Sequence, residues 1–135
     1  MLYRITFLWL IIGALTLFSC SKDDDPQIKN LKVCTELSGN SCESHEGTIS
    51  PTESAIYTSA ELESIENANV TIALWAWDGS DWIQLTQVTI NNEDKNIVNA
   101  TFTNQNPWPE TDYEIEYTVD TDPELVSTVM FTIES

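Results

Sequence analysis

Between residues 31 and 133 apolar and polar side chains alternate with a period of two, in short runs separated by polar turns. Successive side chains of an extended chain point to opposite faces, so this period predicts β-strands with one face buried. The pattern is sharpest over residues 70–90, VTIALWAWDGSDWIQLTQVTI. Two apolar, β-branched and aromatic runs flank Asp78-Gly79-Ser80-Asp81, which predicts a β-hairpin. With Trp77 opposite Trp82, Trp75 falls opposite Gln84, and those four side chains share one face. The other face carries Ile72, Leu74, Ala76, Ile83 and Leu85, an aliphatic surface that calls for burial. A two-residue type I′ loop at Asp78-Gly79 would set Trp77 opposite Ser80 instead.

The flanking chain reads the same way. Residues 31–37 predict a first strand, with 46–49 and 55–58 as short strands around Pro51. Residues 59–66, SAELESIE, hold good helix formers and could make one helical turn; in a β-sandwich they would be the irregular lead-in to the hairpin. After a polar turn at 91–96, residues 97–103 turn Val98, Ala100 and Phe102 inward. Residues 104–110, with two prolines around Trp108, predict a loop. Residues 113–119 alternate Tyr113, Ile115, Tyr117 and Val119 inward with Glu114, Glu116 and Thr118 outward, and residues 125–133 set Val129, Phe131 and Ile133 on one face.

About seven short strands with regular turn signals and no long helical period predict an all-β fold, a single antiparallel sandwich over residues 30–135. The pattern resembles immunoglobulin-like and fibronectin-type domains: a tryptophan-bearing central strand (Trp75 or Trp77), then Thr111-Asp112-Tyr113-Glu114-Ile115-Glu116-Tyr117 as a strand F whose Tyr113 stands at the tyrosine-corner position. The resemblance implies that Trp75 or Trp77 is the core tryptophan of strand C.

The N-terminus follows a different logic. Residues 1–4 are a short cationic start, and Ile5 to Phe18 is a nearly unbroken apolar run, short for a membrane span and suited to a signal-peptide core. It ends in Leu17-Phe18-Ser19-Cys20, which resembles the lipobox of bacterial lipoproteins. The resemblance implies a signal peptide over 1–19, cleavage before Cys20, and acyl chains on Cys20 anchoring the protein to the membrane, as multiple chains on one residue can. A plain secretory signal or an uncleaved anchor is the alternative. Residues 20–29 then form a tether. Its Asp23-Asp24-Asp25 directly after the cysteine resembles the export signal of surface lipoproteins in the Bacteroides–Flavobacterium group, which implies an outer-membrane lipoprotein displayed on the cell surface, with the periplasmic face as the alternative.

Composition narrows the partners. The net charge is −17, and after Cys20 there are four lysines and no arginine against all 22 acids. Nucleic acid and anionic lipid both need cationic side chains to replace counterions, so neither suits this surface. With Cys20 acylated, Cys34 and Cys42 remain as a pair in an oxidising compartment, closing a short loop through Ser38-Gly39-Asn40-Ser41. Such a disulfide stabilises by roughly 2–3 kcal/mol on chain-entropy grounds. Metal binding by Cys34, Cys42 and His45 is the alternative, three ligands without a CxxC pair.

Catalytic groups are sparse. His45 is the single histidine, so Ser-His-Asp chemistry would have to run through it, and no nucleophile elbow or phosphate-cradling glycine loop accompanies it. No cofactor is implied, and the sequence predicts a non-catalytic binding or scaffolding domain. Two ligand readings remain. Trp75, Trp77 and Trp82 with Gln84 could form an aromatic platform for a glycan or a protein partner, making the chain a carbohydrate-binding accessory lipoprotein. Asp78 and Asp81 at one turn, and Asp120 and Asp122 at another, offer carboxylates that calcium would accept, though without EF-hand spacing.

Overall fold

A computed structural model describes residues 25–135, so the expected signal peptide, Cys20 and the aspartates at 23 and 24 lie outside the described residues. Eight strands follow in order: β1 (Gln27–Cys34), β2 (Thr48–Ile49), β3 (Ala55–Glu63), β4 (Asn69–Trp77), β5 (Trp82–Asn91), β6 (Ile97–Thr103), β7 (Asp112–Val119) and β8 (Leu125–Ile133). They form a three-stranded sheet, β1-β3-β6, facing a five-stranded one, β2-β8-β7-β4-β5. This is the partition of an immunoglobulin-like sandwich, antiparallel apart from the β2–β8 pair.

The period-two runs become strands where expected, and their apolar phases meet in one core. Val98, Ala100 and Phe102 of β6 are buried in the same cluster as Ile72 and Leu74 of β4 and the inward residues of β7. Two sequence expectations yield to pairing. Residues 59–63 are strand, not helix, because β3 lies between β1 and β6 and its backbone is paired on both sides. Residues 27–29, assigned to the tether, belong to β1, where Lys29 pairs with Glu61 across the ladder and forms an ion pair with Glu63 at 2.7 Å.

Three polar devices fix the sandwich. The Cys34–Cys42 disulfide forms, with Cα atoms 5.8 Å apart, and staples the end of β1 to the loop after it. Thr58 of β3 and Tyr117 of β7 share a hydrogen bond of 2.7 Å between the two sheets, and burial pushes the Tyr117 phenol up. Asn92, 1% exposed, donates to the Ile65 and Lys95 carbonyls and accepts from the Ala68 N–H, so one side chain ties together the turns at this end of the sandwich.

The tyrosine corner is present: the Tyr113 hydroxyl donates to the Pro109 carbonyl at 2.7 Å, and desolvation raises its pKa to about 12. The core tryptophan is a different residue from the one expected. Trp108, in the loop before β7, is 5% exposed, packs edge-on against Tyr113, and donates its indole N–H to the Glu53 carbonyl at 2.9 Å. It fills the role that the resemblance gave to Trp75 or Trp77.

Candidate functional site

The β4–β5 hairpin takes the register in which Trp77 pairs with Trp82 and Trp75 with Gln84. The turn between them is held by Asp78, whose Oδ1 accepts the N–H of Ser80 at 2.8 Å and of Asp81 at 2.7 Å. Gly79 supplies the left-handed residue the turn needs, at φ 103°. The Asp81 and Ser80 N–H groups hold the Asp78 carboxyl below its ordinary range.

A β-bulge splits the hairpin. Leu74 pairs with Thr86 while Trp75 pairs with Gln84, so Leu85 is the extra residue. The phase of β5 shifts there, and Val88 and Ile90 join Ile83 on the inner side. That inner side is not buried as its composition suggested. Ile72 and Leu74 are sealed in the core, but Ile83 is 46% exposed and Leu85 50% exposed. The reason is geometric: β5 is the edge of a five-stranded sheet packed on a three-stranded one, so part of it overhangs.

The tryptophans lie on the opposite side. Trp75, Trp77 and Trp82 are half-buried on the outer face of the five-stranded sheet, directed away from the core. Trp77 and Trp82 meet edge-on, with centroids 5.5 Å apart and planes at 61°, so they make a corner instead of a flat platform. Gln84 is exposed beside them and donates to Gln87 at 3.1 Å.

β7 is the other neighbour of β4, and Trp75 stands directly across from Glu114. Trp75, Trp82, Glu114 and Glu116 consequently line one open cavity of about 200 Å³. The two glutamates read in the sequence as an ordinary solvent face. Their alternation already sent them outward, but alternation does not give the register that sets Glu114 across from Trp75. Neither carboxylate has a hydrogen bond or ion pair among the described residues. None of the five strands of this sheet carries a lysine, arginine or histidine. The Trp75 Nε1 is the one buried side-chain nitrogen or oxygen among the described residues without a hydrogen-bond partner.

The remaining candidates do not converge. Asp78 and Asp81 sit at the β4–β5 turn, whereas Asp120 and Asp122 lie beyond β7 at the opposite end of the sheet. Asp120 is occupied structurally, accepting from the Asn69 N–H at 2.7 Å and from its side-chain amide at 3.0 Å. Among the described residues no three His, Cys, Asp or Glu side chains gather closely enough to hold a metal ion. Cys34 and Cys42 are bonded to each other, and His45 is exposed in its loop, where Nδ1 accepts the Val33 N–H at 3.0 Å.

No family model matches the chain, and no curated protein matches it. Solved structures do. The soluble domain of PmoD from Methylocystis sp. ATCC 49242 superposes with a TM-score of 0.54 at 9% identity, over 79% of this chain and 90% of its own. A family 76 glycoside hydrolase from a bovine Bacteroides thetaiotaomicron strain aligns at 0.46 and 17% identity, over 81% of this chain and 20% of its own. Murine CRIg aligns at 0.44 and 11% identity, over 81% of this chain and 96% of its own. The PmoD likeness speaks to fold alone.

Proposed function

We propose that this protein is a lipid-anchored outer-membrane protein, displayed at the cell surface, whose immunoglobulin-like sandwich is a non-catalytic binding module. Its binding surface is the outer face of the five-stranded sheet at the β4–β5 hairpin. The observation that carries this reading is the orientation of Trp75, Trp77 and Trp82. Three indoles project from one side of a hairpin whose opposite side already supplies the core. Folding has no need of three large aromatic side chains on a solvent face, and clustered aromatics there are the usual anchors of binding surfaces. The anchor rests on the lipobox-like sequence ending at Cys20 and on the aspartates after it.

Acrylamide quenching of tryptophan emission, assigned by single Trp→Phe variants, tests the surface. Trp77 and Trp82 should be quenched readily and Trp108 hardly at all, and a bound ligand should protect the first two. Quenching of Trp108 alone would remove the proposed surface. A glycan panel and cationic peptides added in turn separate a sugar ligand from a protein one. For the anchor, Cys20→Ser should abolish incorporation of labelled palmitate and release the protein from the outer-membrane fraction; unchanged labelling would overturn lipidation at Cys20.

A further inference from the structure

The open cavity beside β4 has a composition that selects for one kind of ligand. Its walls are two indoles, Trp75 and Trp82, and two glutamates, Glu114 and Glu116. A lysine or arginine on the neighbouring strand would stabilise a carboxylate on a sheet surface, since opposite-charge pairs across strands favour the sheet. Here β4 lies next to β7, and it offers Trp75 opposite Glu114 and Ala73 opposite Glu116. β8, on the other side, offers Met130 and Thr128. No cationic side chain belongs to any strand of the sheet, so the negative charge at this spot is left for something from outside.

The indoles determine what that something is. A bare metal ion gains from the carboxylates but has nothing to gain from two aromatic walls and keeps its water. A neutral sugar can stack on an indole and donate its hydroxyls to the carboxylates, but it leaves their negative charge unbalanced. An organic monocation satisfies both: its positive charge meets the glutamates and the negative faces of the indoles, while its hydrocarbon skin packs against the rings. The cavity is small enough to take a single such group.

We infer that Trp75, Trp82, Glu114 and Glu116 form a receptor for an organic cation, an alkylammonium or guanidinium group, carried either by a small amine or by a lysine or arginine side chain of a peptide. The inference rests on the outward indole face being the binding surface proposed above and names the chemistry it recognises.

The test follows the indole N–H signals of the full, ¹⁵N-labelled chain by NMR during titration with choline, with a short lysine-containing peptide, and with 3,3-dimethylbutanol, which has the shape of choline without its charge. The expected result is that choline or the peptide shifts the Trp75 and Trp82 signals, that the neutral alcohol does not, and that Glu114→Gln with Glu116→Gln weakens the shift-derived affinity by at least about tenfold. Both substitutions lie on a solvent face, and an unmoved Trp108 signal reports that the fold is intact. A peptide that binds more tightly than choline identifies a side-chain source, and the reverse a free amine. The inference is overturned if the alcohol shifts these signals as strongly as choline, or if neither cation shifts them. Should a glycan move the same indoles while the cations do not, the cation assignment falls and the indole face stands as a binding surface.

Discussion

The two sides of strand β4 make opposite use of similarly apolar residues. Its inner side, Val70, Ile72 and Leu74, is sealed between the sheets and packs with the inward residues of β7. Its outer side ends in Trp75 and Trp77, whose apolar surface is larger than that of most core residues yet only half-buried. Apolar area alone would rank the indoles first for the interior. They stand outside because a strand has one phase, and the phase is decided by the sum over all its residues and those of its neighbours. Val70, Ile72 and Leu74, together with Tyr113, Ile115, Tyr117 and Val119 of β7, outvote two tryptophans. The interior tryptophan comes from a loop, where Trp108 is not bound to any strand phase and closes the sandwich beside Tyr113.

The comparison is most strongly tested at the tryptophans. Trp108→Ala should cost about 3–5 kcal/mol in chemical denaturation, since it removes a buried ring and leaves the Glu53 carbonyl without its donor. Trp82→Ala should cost about 1 kcal/mol, the worth of its edge-on contact with Trp77. Equal losses would mean that the outer indoles are as structural as the inner one. A finer test uses one residue type in two places. Leu74→Ala should destabilise by about 2–5 kcal/mol, whereas Leu85→Ala, at the bulge on the overhanging edge, should cost less than about 1 kcal/mol. A large loss at Leu85 would show that the overhang is covered in solution.

Much of the fold was legible because alternation is a local property. The strands at 97–103 and 125–133 fall where their period put them, and so does the inward set of β7. Tyr113 could be placed at the tyrosine corner because the motif is short and its hydrogen bond spans only four residues. Residues 59–63 were obscured because Ala60, Glu61 and Leu62 favour helix intrinsically, and only pairing with both β1 and β6 overrides that preference. The bulge left a trace that can be read in retrospect. Ile83 and Leu85 keep one phase, Val88 and Ile90 the other, and an odd spacing between two such pairs is what one extra residue produces.

Most of the strands, their apolar phases, the cysteine pair available for a disulfide, the acidic surface and the shared face of Trp75, Trp77, Trp82 and Gln84 are legible in the amino-acid sequence. Each follows from residues close together in the chain. Which face of the hairpin looks outward, which tryptophan is core, and which carboxylates stand beside the indoles were decided only by tertiary structure. Those outcomes depend on sheet order: β7, separated from β4 by two intervening strands, lies beside it, and a three-stranded sheet leaves the edge of a five-stranded one uncovered. Local periodicity specifies the faces of a strand but not its neighbours, and the candidate site is made by neighbours.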